Sequence, residues 1–194
     1  MLTIESTEVD QARCYFSHTW NQIVEVTSGL SDAQWRFKPA PDRWSIAENL
    51  EHLVLVHERV LGRVREQLPA APAPRAGLDP RVIDTIIFEK VPDRSIKAKA
   101  PDFMCPTGSW TLPATLERLS QSYETLNHFV ESTPDLREHA LESAPLRVVT
   151  NGAYDHMDGY QWAITAAAHD LRHVNQILEV KADARYPEIG RAHV

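Results

Sequence analysis

Residues 160–181 read YQWAITAAAHDLRHVNQILEVK, and this stretch decides the fold class. Its apolar side chains recur at the spacing of a helix with 3.6 residues per turn, over a wide arc rather than a narrow stripe. Such a helix is typical of a bundle, where it packs against more than one neighbour. The apolar positions are Trp162, Ala163, Ile164, Ala166, Ala167, Leu171, Val174, Ile177, Leu178 and Val180, and the polar side holds Gln161, Thr165, Arg172, Gln176 and Glu179.

Two histidines of this helix, His169 and His173, are four residues apart. Four residues turn a helix by about 400°, so the two rings lie about 40° apart on one face and about 6 Å apart along the axis. That separation lets both imidazoles bind one metal ion. The pair lies where the buried arc meets the polar side, which also suits two ordinary boundary histidines. Spacing alone leaves both interpretations open.

Three earlier segments also show helical periodicity, and they cover residues 7–28, 45–68 and 112–133. Ser45 with Glu48 three residues later is typical of a capping box at the start of the second helix. A long, proline-rich segment separates the second helix from the third. The pattern predicts an all-α protein, a four-helix bundle with a long crossover connection between helices two and three, in a single domain over residues 1–194.

The crossover, residues 69–110, is unusually long for a compact domain unless it has a function. Within the crossover, the sequence pattern of residues 81–91 predicts a short helix or a packed turn. We expect the crossover to pack over the bundle near the paired histidines, with Phe103, Met104 or Trp110 facing a cavity. A solvent-exposed linker is the alternative, particularly for residues 69–80, which are rich in proline and alanine.

Composition excludes several functional classes. The net charge of −7, with no basic stripe, argues against a nucleic-acid partner. No apolar run approaches the ~18 residues that a membrane helix needs, and the acidic, polar N-terminal residues do not resemble a signal peptide. The only cysteines are Cys14 and Cys105, which favours a reducing cytoplasm over a disulfide framework.

The second helix offers two candidates for a third ligand, His52 and His57. His57 lies at the middle of the apolar stripe, whereas His52 lies about 100° from its centre, so periodicity buries His57 and leaves His52 ambiguous. Asn49, one turn before His52, is placed to contact a bound ligand. Asp170 points about 100° away from His169 and is therefore not expected to act as a base.

Two blocks of sequence, LSDAQWRFKPAPDRWSIAENLEHL at residues 30–53 and DGYQWAITAAAHDLRHVNQI at residues 158–177, resemble the DinB/YfiT-like superfamily of metal-binding four-helix-bundle proteins. The resemblance extends over most of the chain. It implies that one histidine of the second helix and the paired histidines of the fourth bind the metal. Those residues are His52, His169 and His173, so the resemblance favours His52 over His57.

Three imidazoles leave coordination positions open for water or substrate, as catalytic zinc sites do. Neutral nitrogen ligands suit a divalent ion, with Zn or Ni favoured. The resemblance implies a metal-dependent hydrolase or a thiol-dependent S-transferase that acts on a small-molecule substrate, with a low-molecular-weight thiol as an alternative cosubstrate. It identifies no general acid or base and leaves a homodimer open. A non-catalytic metal-binding or stress-response module, and a bundle with purely structural histidines, remain alternatives.

Overall fold

The computed structural model describes residues 4–95 and 100–188. Its helices are α1 Ser6–Thr27, α2 Asp32–Arg36, α3 Ile46–Gln67, α4 Pro80–Lys90, α5 Leu112–Ser132, α6 Ala144–Val149 and α7 Gly159–Lys181, with 3₁₀ turns at Leu68–Ala70 and Asp102–Met104. Two short strands, β1 Ala140–Glu142 and β2 His156–Asp158, pair antiparallel between α5 and α7. The predicted all-α four-helix bundle is confirmed, and α1, α3, α5 and α7 form it.

The long helices begin where local capping chemistry favours it. At the start of α3, the Ser45 hydroxyl accepts a hydrogen bond from the Glu48 amide at 3.1 Å, and the Glu48 carboxylate accepts one from the Ser45 amide at 2.8 Å. This is the capping box that the sequence predicts. Asp158 and Gln161 form the same reciprocal pair at the start of α7.

Contacts between the helices define their directions. Tyr160 at the start of α7 donates to the Glu8 carbonyl, and α7 ends with Lys181 donating to the Val26 carbonyl, so α1 and α7 run parallel. Helices α3 and α5 also run parallel. Glu58 near the middle of α3 pairs with Arg118 in the first half of α5. Further along both helices, Arg65 and Thr125 line the same groove.

Helices α1 and α5 run antiparallel, because Arg13 near the start of α1 pairs with Glu131 near the end of α5. The order along the chain is therefore up, down, down, up. Two successive parallel helices cannot be joined by a tight turn, and the chain must return along the whole bundle before α5 can begin. This requirement explains the length of the crossover.

Parts of the crossover pack against the bundle, whereas residues 69–80, the stretch for which a solvent-exposed linker is the alternative, are mostly exposed. Helix α4 lies against α7, and the 3₁₀ turn at Asp102–Met104 lies against α3. Met104 is buried. The prediction of a short helix within the crossover is confirmed by α4, whereas residues 96–99 lie outside the described part of the chain.

The core is built from apolar side chains of the four long helices, including Phe16, Leu50, Leu126 and Ile164, all fully buried. Two details of the predicted α7 pattern are wrong. Leu178 is exposed, beside the exposed Glu179. Conversely, Gln161 is buried, because α4 covers that side of α7.

Helix α4 supplies the contacts of the buried Gln161 side chain, whose amide donates to Pro80 and Asp84 at 3.1 Å each. Within the described ranges, no helix is both long enough and apolar enough to cross a membrane.

Candidate metal centre

Three histidines from two antiparallel helices meet inside the bundle. His52 projects from the first half of α3, His169 projects from the middle of α7, and His173 projects from the following turn. One ring nitrogen from each lies within 4.8 Å of the other two. Within the described ranges, no other group of three or more histidine, cysteine or acidic residues is found with ligand atoms so close together. The structure therefore brings together the three residues that the sequence singled out.

His52 is held in one tautomer by the crossover. Its Nδ1 lies 2.8 Å from the Met104 carbonyl oxygen. A carbonyl oxygen can only accept a hydrogen bond, so Nδ1 must carry the proton. The lone pair of His52 is then on Nε2, which is the nitrogen left free to bind a metal.

His173 is held in the same tautomer by Asn49 of α3. The Asn49 side-chain oxygen lies 2.7 Å from His173 Nδ1, while its amide nitrogen donates to the Ser45 carbonyl at 2.8 Å. The Ser45 carbonyl fixes which end of the amide faces the imidazole. His173 Nδ1 is therefore a donor and Nε2 carries the lone pair. The Asn49 side chain thus orients a candidate metal ligand.

Burial keeps the three rings neutral. His52 and His173 are almost fully buried and His169 is half-buried. Desolvation lowers the pKa of His169 and of His173 well below the usual value for histidine, and the neighbouring imidazoles lower both further. Desolvation also lowers the pKa of His52, although its hydrogen bond to Met104 acts in the opposite direction. Neutral imidazole is the form that binds metals.

The spacing of the nitrogens fits a divalent ion. His169 Nε2 lies 3.3 Å from His173 Nε2. Two nitrogens that bind a tetrahedral zinc ion at ~2.0–2.1 Å are themselves about 3.3 Å apart. His169 Nδ1 is buried, and no hydrogen-bond partner for it is found within the described ranges. The donor set, its tautomers and its spacing are thus compatible with a three-nitrogen metal site.

One wall of the centre is aromatic. The indole of Trp44, immediately before α3, stacks on His173 with ring centroids 6.0 Å apart and an interplanar angle of 18°. The same indole lies 4.8 Å from the His52 ring centroid. Trp44 therefore limits the rotation of two candidate ligands and shields them from water.

A sequence profile of the DinB superfamily matches residues 15–177. The chain belongs to the DinB superfamily. The DinB-superfamily assignment spans α1 to α7 and includes all three histidines of the centre.

Individual relatives agree with the family. The protein YuaE of Bacillus subtilis (strain 168), whose function is uncharacterised, is 28% identical over 164 residues, which cover 84% of this chain and 90% of YuaE. The solved structure of YfiT from Bacillus subtilis matches with a TM-score of 0.58 at 12% identity, covering 93% of this chain and 90% of that one. YfiT is described as a probable metal-dependent hydrolase with an unusual four-helix bundle topology. At this identity the likeness establishes a shared fold.

His57 does not belong to the cluster of His52, His169 and His173, because it takes part in a separate hydrogen-bond network. Its Nε2 lies 3.0 Å from one Asp170 carboxylate oxygen, and the Tyr123 hydroxyl donates to the same carboxylate at 2.6 Å. All three side chains are buried. The expectation that Asp170 points away from the paired histidines agrees with these contacts, which join α3, α5 and α7.

Two further histidines, from the segment between α5 and α7, and the aromatic side chains of the crossover make other contacts. His139 is half-buried with Nδ1 2.6 Å from the Ala71 carbonyl, and His156 is exposed beside Asp155. The Phe103 side chain is 63% exposed, so it does not face a cavity as expected. Trp110 packs against the guanidinium of Arg118 at 4.1 Å. The crossover therefore reaches the centre through the Met104 carbonyl rather than through the aromatic side chains.

Proposed function

We propose that this DinB-superfamily protein is a metal-dependent hydrolase in which His52, His169 and His173 bind one divalent metal ion. The observation that carries the proposal is the convergence of three neutral imidazoles, two of them fixed with the Nε2 lone pair free. A structural zinc site usually has four protein ligands, whereas three protein ligands are typical of catalytic sites. The description of the structural neighbour YfiT as a probable metal-dependent hydrolase supports the same class.

The roles of the protein groups follow from their contacts. A divalent metal in this donor set supplies a Lewis acid with open coordination positions. The Met104 carbonyl and the Asn49 side-chain oxygen hold the His52 and His173 rings in the ligating tautomer. Trp44 covers one side of both rings and restricts the approach of water. By fixing the orientation of the donors, these groups would lower the cost of binding a metal.

Zn or Ni is the proposed metal, because neutral imidazole nitrogens suit both ions. The proposed substrate is a small molecule and the proposed location is the cytoplasm. Two exposed, unpaired cysteines, Cys14 and Cys105, support a reducing compartment. The net charge of −7 supports a partner other than nucleic acid.

The test begins with elemental analysis of the protein purified without a histidine tag, followed by removal and replacement of the metal. Esters, amides and electrophiles are then screened as substrates with the metal-free and reconstituted forms, each with and without a low-molecular-weight thiol. We expect hydrolysis that needs the metal and does not need the thiol. The matched control is His169→Ala, which removes one ligand.

Three outcomes would overturn the proposal. Turnover only in the presence of the thiol would assign the S-transferase reaction instead. A protein that binds metal stoichiometrically but turns over no ester, amide or electrophile would indicate a binding or stress-response module. A protein that binds no metal would leave the histidines with a structural role.

A further inference from the structure

Glu51 is a buried acid next to a candidate ligand. It precedes His52 on α3, and only 2% of its surface is exposed. A buried carboxylate needs hydrogen-bond donors or a positive charge to offset the loss of hydration. Its donors come from the crossover rather than from a basic side chain. The Thr107 amide and hydroxyl donate to Oε1 at 2.9 and 2.7 Å, and the Gly108 amide donates to Oε2 at 2.7 Å.

The crossover is shaped to present these donors. Consecutive backbone amides that point to one side form a concave nest for an anion, particularly where one residue has a left-handed conformation. Gly108 has a φ of +69°, in the left-handed region that glycine adopts without strain. Charge-assisted hydrogen bonds of this kind are stronger than those between neutral groups. The Gly108 carbonyl is held as well, because Arg36 donates to it at 2.8 Å.

The same short segment contacts the candidate metal centre. Met104, three residues before Thr107, accepts the hydrogen bond from His52 Nδ1 at 2.8 Å. A 3₁₀ turn, in which the Cys105 amide donates to the Asp102 carbonyl at 3.1 Å, fixes the backbone on one side of Met104. The Glu51 carboxylate fixes it on the other side. Two adjacent residues of α3 therefore hold one segment of five residues, residues 104–108.

We propose that Glu51 is a positioning residue for the metal centre. Its carboxylate binds the Thr107 and Gly108 amides and so places the Met104 carbonyl where it selects the ligating tautomer of His52. The expected effect of Glu51 on metal binding rests on the proposed function, in which His52 is a metal ligand. Its structural part concerns the His52 imidazole alone and is testable without metal.

The experiment compares Glu51→Gln with the wild-type chain by two measurements. Glutamine keeps the size of the side chain but turns an NH₂ group toward one of the crossover amides, so one hydrogen bond is replaced by a donor–donor contact. The first measurement is the affinity for Co(II), which is determined from the absorption spectrum of the bound ion. The second is the NMR signal of the His52 Nδ1 proton in the metal-free protein. Glu58→Gln is the matched control, because Glu58 is an exposed acid on the same helix.

We expect Glu51→Gln to weaken Co(II) binding by about 10–100-fold, the range typical of groups that orient a metal ligand. The His52 Nδ1 proton should shift or exchange faster, while that of His173, held by Asn49, should stay unchanged. Unchanged affinity together with an unchanged His52 signal would overturn the inference. If Glu51→Gln does not fold, Thr107→Val, which removes one hydroxyl donor, decides by the same two measurements.

The two proposals fail in different ways. If the wild-type chain binds no metal, the proposed function fails, and the His52 signal in the metal-free protein still decides the positional role of Glu51. If the wild-type chain binds metal, and the Glu51→Gln chain binds it equally well with an unchanged His52 signal, the proposed function stands and the positioning role is wrong.

Discussion

Asn49 on α3 and His173 on α7 are joined by a hydrogen bond of 2.7 Å between the amide oxygen and the ring Nδ1. Both side chains are buried, and the bond links two antiparallel helices at the level of the histidine cluster. The Asn49 amide nitrogen is itself held by the Ser45 carbonyl at the beginning of α3. The capping region of one helix thus determines the tautomer of a candidate ligand on another.

Replacing Asn49 by leucine should therefore weaken metal binding by about 10–100-fold, because His173 loses the acceptor that keeps Nε2 free of its proton. Asn49→Asp keeps an acceptor at the same place and should bind metal much more tightly than Asn49→Leu. Competition titrations with a chromophoric chelator measure both. Equal affinities for the two variants would show that the hydrogen bond does not control the ligand.

Metal content should be about one ion per chain, and His52→Ala, His169→Ala and His173→Ala should each lose most of it. Two imidazoles bind a metal far more weakly than three, because each ligand contributes to the same site. His57→Ala is the control and should retain its metal, since His57 contacts Asp170 instead. Elemental analysis after gel filtration measures the content. An emptied site in His57→Ala with a full site in His52→Ala would reverse the assignment on α3.

Acid should release the metal. Ligation needs neutral imidazoles, so protons compete increasingly as the pH falls below about 6.5, the free-histidine value, and tight binding moves the midpoint lower. We expect the metal-free chain to remain helical at neutral pH, because the core of the bundle is apolar and extensive. Circular dichroism with and without chelator checks this. Unfolding on metal removal at pH 7 would mean that the metal is structural.

The stability of the metal-free chain should also depend on pH. Burial lowers the pKa of His169 and His173 in the folded state. The unfolded chain therefore binds more protons below about pH 6.5, so stability is complete above that pH and falls as the pH decreases. Each ring contributes at most about 1.4 kcal/mol per pH unit in this window. Urea unfolding at several pH values measures the slope, which should be smaller in His173→Asn.

Tyr123→Phe should destabilise the fold by about 1–3 kcal/mol, because the buried Asp170 carboxylate loses a hydrogen-bond donor. Metal content should be retained, since Tyr123 contacts no candidate ligand through this bond. Tyr154→Phe, outside the network and half-buried, is the control for removing a phenol hydroxyl. Urea unfolding of the two variants at pH 7.5 gives the comparison. Equal stabilities would indicate that water replaces the Tyr123 hydroxyl.

The four helices and the capping box at Ser45 could be predicted because periodicity and capping are local properties of the sequence. His169 and His173 were recognisable for the same reason, since their spacing fixes their relative direction. The choice of His52 over His57 needed the family resemblance. Both histidines are buried, and only the partner on α7 distinguishes them: Asp170 for His57, the paired imidazoles for His52.

The contacts that orient the ligands could not be predicted. The Met104 carbonyl belongs to an irregular segment, and the direction of a backbone carbonyl in such a segment cannot be predicted from the pattern of side chains. Glu51 is charged, and composition alone predicts an exposed position for it. Glu51 can be buried because two amides of the crossover, 56 and 57 residues further along the chain, donate hydrogen bonds to its carboxylate. Interactions over such a distance depend on the path of the whole crossover.

The order of the helices has a consequence for biosynthesis. The helices α1 and α7 pack side by side in parallel, so a chain emerging from the ribosome leaves the face of α1 that α7 covers exposed until α7 has been made. Contacts between such distant segments close slowly because the intervening loop must first be ordered. His52 emerges with α3, whereas His169 and His173 emerge only with α7. The three imidazoles can meet only after α7 has been made, and a truncated nascent chain that ends before α7 can offer a metal one histidine of the three.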